Sequence, residues 1–313
     1  MNSFRFIHHF IDEIECEHVR ELDHAQVTLS FQQHLEAELT DENFIDLLIY
    51  SGYIPDIYPT DSSEEKLHTK LTEALVAEWA KRMGYNFNIP TQKSGKEDVK
   101  IDINNSIIVS DAKSFRLGRS QKAPNPKDFV KLEQIRLWMN RYDNAIGGLV
   151  TFPYTHDWNN YSNVYEECSN KAAPTLMLPY IYLAYILSKV NDFNPFDLLE
   201  LWNYDKLFPV ALSVDTRNNR ELYWTKINEE LLKITNSTEE EFSSFIKSAK
   251  KMKKEYIKEI INQLKERLDN NKKAILKNLD KKTKKEVEEL YINLKLKSSG
   301  LKKTIERIIK FRL

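Results

Sequence analysis

The sequence predicts an α/β fold, a mixed sheet flanked by N- and C-terminal helices. Three observations carry this. Asp98-Val99-Lys100-Ile101-Asp102-Ile103 alternates polar and apolar residues, the period of a strand, and Ser106 to Lys113 reads as its return. A helix follows, with Phe129, Leu132, Ile135 and Trp138/Met139 on one face, and then Asn144 to Phe152 reads as another strand ended by Pro153. Helical spacing dominates on both sides of this strand–strand–helix–strand unit.

In chain order, residues 1–53 read as helical, with apolar clusters such as Phe44, Leu47, Leu48 and Ile49. A turn-rich stretch runs from Ser51-Gly52-Tyr53-Ile54-Pro55 to Ser63. Leu67, Leu71, Leu75, Trp79 and Met83 then recur at helical spacing, and Gly84 supplies a stop. Ser114 to Pro126 reads as a loop, and the next helix starts at about Pro126. The most apolar stretch, Ala173 to Val190, contains Pro174, Pro179, three tyrosines and Ser188-Lys189. It is too short and too interrupted for a membrane span and reads as a buried helix. From about residue 191 the reading is mostly helical, with faces lined by Ile257, Ile260, Leu264 and Leu268, by Val287, Leu290 and Leu294, and by Leu301, Ile305 and Ile308. The expected organisation is an N-terminal helical region over 1–60, a core with a basic loop over 61–235, and a basic helical C-terminal region over 236–313. The three can equally form one continuous domain.

Composition excludes several classes. With 41% apolar residues, 15 Phe, 15 Tyr and 5 Trp among 313 residues, the chain can build a core and is not intrinsically disordered. Two cysteines, Cys16 and Cys168, make neither a disulfide framework nor a zinc site, and read as plain thiols in a reducing compartment. Seven glycines, with no G-x-G-x-x-G and no Walker-type loop, give little support to a nucleotide-binding fold. The seven histidines form no H-E-x-x-H cluster, and there is no G-x-S-x-G elbow. Met1 to Glu13 lacks the basic-then-apolar pattern of a signal peptide, so a cytoplasmic protein is expected. The net charge of −1 hides an asymmetry: residues 241–313 carry 22 basic against 10 acidic side chains, leaving the rest of the chain strongly acidic. Such an end suits either a polyanionic partner or a solvated helical face.

The hairpin carries the chemistry. Asn104-Asn105 can take the positive φ of a two-residue turn, which forces the register. Ile103 then faces Ser106, Ile101 faces Ile108, Val99 faces Ser110, and Asp98 faces Asp111. Directly opposed β-carbons sit about 5 Å apart, where two carboxylates repel. A divalent cation between them turns that penalty into a binding site, and Mg²⁺ takes one or two carboxylates while completing its shell with water and phosphate oxygens. Lys113, two residues past Asp111, lies on the same face about 6.6 Å along the strand, where an amine can orient a water or stabilise charge. Asp102 sits at the turn, roughly 13 Å from Asp98, too far to share the ion. Neutralisation of Asp98 by Lys100 or Lys113 without a metal stays open.

The run Ser110-Asp111-Ala112-Lys113-Ser114-Phe115-Arg116-Leu117, then Arg119 and Lys127-Asp128-Phe129, resembles the HindIII-type restriction endonucleases of the PD-(D/E)xK nuclease superfamily. Weaker pieces extend the resemblance over roughly residues 42–210. It implies a PD-(D/E)xK restriction-endonuclease-like core, with Asp111 and Lys113 as the Asp-x-Lys pair and Asp98 as the first metal-binding acid. The usual proline before that acid is replaced by Glu97. Glu65 matches a helix-borne acid that approaches the site in many relatives, although Ser62-Ser63-Glu64-Glu65 is also a capping-box pattern. By the same resemblance Asn125 and Lys127 are candidates for base contact in the major groove, Asn125 being equally placed to cap the helix that Pro126 opens. Arg116, Arg119 and Lys122 are expected on phosphates, with Asp128 orienting nearby lysines.

The resemblance thus implies a type II restriction endonuclease that uses Mg²⁺, with Mn²⁺ as a substitute, cleaves palindromic double-stranded DNA to 5′-phosphate ends, and works as a homodimer. Two other readings remain at this point: a structure-specific repair or junction nuclease of the same superfamily, and a non-catalytic DNA-binding helical protein.

Overall fold

A computed structural model describes residues 3–17, 24–90, 95–118, 130–155, 162–213, 219–279 and 303–310, together with 286, 291 and 300. Three helices open the chain: α1 (Ser3–Glu17), α2 (His24–Glu38) and α3 (Asp41–Tyr50). Thr40 caps α3 by accepting the Asn43 N–H, and Phe44, Leu47, Leu48 and Ile49 are buried, as their spacing requires. After the short β1 (Tyr53–Ile54) comes α4 (Ser63–Arg82), the main helix against the sheet. Ser62 caps it by accepting the Glu65 N–H, and its middle turns, from Leu71 to Ala80, are buried throughout.

The central sheet has the order β2-β3-β4-β6-β7, built from β2 (Asn86–Asn88), β3 (Val99–Ile103), β4 (Ser106–Ala112), β6 (Ala145–Phe152) and β7 (Thr175–Pro179). β2, β3 and β4 are antiparallel neighbours, and β4, β6 and β7 run parallel. The sheet is therefore mixed. Parallel pairs need crossovers, which here carry α5 (Leu132–Met139) and α6 (Asn163–Cys168). β4 is the middle strand, and every residue in it after Ser106 is buried. At Gly147 in β6 a β-carbon would lie 2.3 Å from Trp202 Cδ1, so only glycine admits that indole, whose N–H donates to the Gly148 carbonyl at 2.8 Å. A two-stranded parallel pair joins β1 to β5 (Phe115–Arg116).

Ala173 to Val190 differs from the expected single buried helix. It splits into β7 and α7 (Tyr180–Ser188), with Pro179 as the junction. Both pieces are buried on all sides, so the run has no polar period that separates strand from helix. Beyond α7 come a 3₁₀ segment (Pro195–Trp202), α8 (Tyr204–Leu207), α9 (Asn219–Ile234) and α10 (Glu239–Leu279). Residues 303–309 are helical, and Ile305 and Ile308 join the core. One hydrophobic cluster runs from Phe6 to Ile308. Phe129, Val287, Leu290, Leu294 and Leu301 lie outside the described residues. No helix among the described residues is long and apolar enough to cross a membrane.

Candidate active site

The turn sets the site. Asn104 and Asn105 take φ of 51° and 64°, and Asp102 Oδ1 accepts the Asn105 N–H at 2.9 Å, so Asp102 serves the turn. The register runs from Ile103 opposite Ser106 to Val99 opposite Ser110. One step further, Asp98 donates its backbone N–H to the Ser110 carbonyl at 3.0 Å, and Asp98 Oδ2 accepts the Ala112 N–H at 2.9 Å. Asp98 and Asp111 thus meet across the hairpin. Lys113 Nζ reaches Asp111 Oδ1 at 2.6 Å.

Burial, and then the Asp111 charge, push the Asp98 carboxyl up to about 6; the Ala112 N–H, Lys113 and Lys70 oppose the rise. Two acids that repel at close range form a donor set for a hard, oxygen-seeking divalent cation, because such an ion removes the repulsion. Asp98 and Asp111 are the residues able to hold one. No group of three or more His, Cys, Asp or Glu gathers for a metal among the described residues.

Helix α4 also carries a buried acid that sequence reasoning did not single out. Glu73 is only 2% exposed and pairs with Lys70 at 2.5 Å, and it is Lys70 whose charge reaches Asp98. Next to it, Thr72 Oγ1 accepts the Ser114 hydroxyl at 3.1 Å, so this turn of α4 faces the chain just after Lys113. The usable signal was the three-residue spacing from Lys70 to Glu73, on the side of the helix opposite Leu71 and Leu75.

The structure does not bring Glu65 to Asp98, Asp111 and Lys113. Its Oε2 accepts the Asp61 N–H and its Oε1 accepts Arg116 Nε, both at 2.6 Å. Burial acts to raise its carboxyl, but Arg116 and the Asp61 N–H outweigh it and hold the group below its ordinary value. Glu65 closes the capping box and grips Arg116. Arg116, expected on a phosphate, is engaged inside the protein. Its side chain is 19% exposed, its Nη2 donates to the Tyr58 carbonyl at 3.1 Å, and Nη1 lies 3.4 Å from Asp56 Oδ1. With Nε, Nη1 and Nη2 all engaged, it ties β5 to the 56–65 turn. Asp56 also accepts the Gly118 N–H at 2.5 Å; burial raises its carboxyl despite that bond and Arg116. Arg119, Lys122, Asn125, Lys127 and Asp128 lie outside the described residues.

Glu97, the residue before Asp98, is buried and accepts the Tyr142 hydroxyl, with Arg141 3.6 Å away. Three donors from α5 and the turn after it, on Gln134, Trp138 and Arg141, converge on the Gly95 carbonyl. The strand that presents Asp98 is thereby anchored just upstream of it. His68 is buried and pushed down to about 3 by burial and then by His8, so it is neutral at ordinary pH. The Cys168 thiol is pushed up by burial and is inert.

A mixed five-stranded sheet whose central hairpin opposes two acids beside a lysine is the plan of a restriction-endonuclease-like hydrolase. The family model described as HindIII restriction endonuclease matches residues 16–299, and the chain belongs to that family. It is a family of type II restriction endonucleases, enzymes whose substrate is double-stranded DNA. No curated protein matches the chain.

Proposed function

We propose that this chain hydrolyses phosphodiester bonds at a specific palindromic sequence in duplex DNA, using Mg²⁺ and leaving 5′-phosphate ends, with Mn²⁺ able to substitute. The observation that carries the reading is the meeting of Asp98 and Asp111 across the hairpin, with Lys113 on Asp111. Asp98 and Asp111 would hold the ion. A divalent cation bound there supplies Lewis acidity to the scissile phosphate. Lys113 orients the attacking water and stabilises negative charge on the phosphate oxygens. Glu73, held by Lys70, is the acid that α4 contributes.

Recognition falls to the basic stretch of sequence that follows β5. Arg119 and Lys122 are its phosphate contacts, Asn125 and Lys127 its base contacts, and Asp128 orients its lysines. A palindrome presents two equivalent half-sites, so the working unit is a symmetric homodimer with one active site per strand.

A digest of a sequenced plasmid with Mg²⁺, with fragment ends mapped, tests this reading. Discrete fragments bearing 5′-phosphates are expected. A smear, cutting only at branched structures, or intact DNA overturns it. Asp111→Asn should abolish cleavage while DNA binding supported by Ca²⁺ persists; unchanged cleavage by that variant removes the site assignment.

A further inference from the structure

β4 ends at Ala112, so Lys113 sits where the chain leaves the five-stranded sheet and crosses to β5. Its peptide is fixed from outside the hairpin. The Lys113 N–H donates to the Thr151 carbonyl of β6 at 2.8 Å, and the Lys113 carbonyl accepts the Tyr180 hydroxyl at 3.3 Å. Tyr180 opens α7 and is fully buried, with the Thr72 and Thr151 hydroxyls beside its phenol and the charges of Asp98 and Asp111 within reach.

The slot that holds this ring is built for it. Gly52 has φ of +92°, and a β-carbon there would stand 2.7 Å from the Tyr180 ring and 2.9 Å from Pro153 Cγ. The Gly52 carbonyl also accepts the Phe115 N–H at 2.9 Å, pinning the chain on the far side of Lys113. The two segments that wall the slot are joined by one side chain from far downstream. Lys253 of α10 is 0% exposed; its Nζ donates to the Ser51 carbonyl at 3.1 Å and the Pro153 carbonyl at 3.0 Å, and stands 4.9 Å over the Tyr53 ring. Burying an ammonium is costly, and here it is offset by two carbonyl oxygens and an aromatic face.

We propose that Tyr180 is a positioning residue for Lys113 and that Lys253 braces it, so that the C-terminal helix serves the chemistry through the protein interior. This rests on the reading of Lys113 as the amine at the scissile phosphate. Tyr180 fixes the Lys113 carbonyl, β6 fixes its N–H, and between them the direction of the Lys113 side chain toward Asp111 is set.

Two variants test it in the full-length protein. Tyr180→Phe removes one oxygen and leaves the ring in its slot. Lys253→Met keeps an unbranched four-atom stem and removes the ammonium. Single-turnover cleavage of cognate DNA is measured with Mg²⁺, DNA affinity with Ca²⁺, and Tm for each protein. The cleavage rate should fall about tenfold for Tyr180→Phe and about a hundredfold for Lys253→Met. DNA affinity should stay at the wild-type level, and the double variant should lose less than the product of the two, because both act on one peptide. Tyr180→Phe decides the matter alone where Lys253→Met fails to fold. Wild-type cleavage by Tyr180→Phe, or losses that appear only in Tm or in DNA affinity, would overturn the positioning role while the functional reading stands. Full cleavage by Lys113→Ala would remove Lys113 from the chemistry and overturn the positioning role alone, whereas absence of cleavage by the wild type would overturn the functional reading and the positioning role with it.

Discussion

Replacing Asp98 with asparagine should inactivate the protein and stabilise it. Asparagine is nearly isosteric, and its side-chain oxygen can keep the Ala112 N–H that Asp98 Oδ2 now accepts. What it loses is the charge. The Asp98 carboxyl stands at about 6 against an ordinary 3.8, because burial and Asp111 both disfavour its ionised form. A shift of that size is worth about 3 kcal/mol at neutral pH. The side chain is only partly covered, and residual contact with water trims the penalty to about 2 kcal/mol. At the usual unfolding entropy per residue, this corresponds to a rise of about 3 °C in Tm for a chain of this length. The pH dependence follows from linkage. Asp98 binds its proton more tightly folded than unfolded, so its contribution is most favourable below pH 3.8 and is lost as pH rises through about 6. The advantage of Asp98→Asn therefore opens over that window and nearly closes at pH 4. Thermal melts with a chelator at pH 7.5 and pH 4 measure it. A variant that melts below the wild type at pH 7.5, or the same gap at both pH values, would refute the electrostatic account of the pair. Adding Mg²⁺ should raise the Tm of the wild type well above its effect on the variant.

Glu65 and Glu73, both on α4, should separate. Glu65→Gln removes the charge that holds Arg116 but leaves a neutral cap, so we expect a loss of about 1 kcal/mol in stability and a cleavage rate within about threefold of the wild type. Since the Glu65 carboxyl is held below its ordinary value, the stability gap is present above that value and disappears as pH falls through the folded one; melts against pH read it, and a hundredfold loss of cleavage would return Glu65 to the site. Glu73→Gln should do the reverse, lowering single-turnover cleavage by about a hundredfold while Ca²⁺-supported DNA binding persists. Wild-type cleavage by Glu73→Gln would remove that acid from the chemistry.

What was legible in the sequence depended on the range of the interaction that decided it. The hairpin register was readable because Asn104 and Asn105 are adjacent and the alternation around them is clean, so nothing distant was needed. The mixed sheet followed from the order of elements. Ala173 to Val190 was misread because a strand and a helix buried on every side are both unbroken apolar runs, and only the sheet partner, β6, tells them apart. The interior ties of Arg116 were hidden because its ion-pair partners, Glu65 and Asp56, lie 51 and 60 positions upstream. Tyr180 and Lys253 carried no local signal, one sitting in an apolar run and the other among the ten lysines of α10.

The separation between hairpin and brace has a consequence for how the molecule comes together. Asp98 and Asp111 need only a short loop to close, and that closure is entropically cheap. The direction of Lys113 waits for α7 and α10, the latter arriving some 140 positions later in the chain. A partly assembled chain can thus trap an ion long before it can break a strand. The order of events withholds the cutting power of the enzyme until α10 is docked.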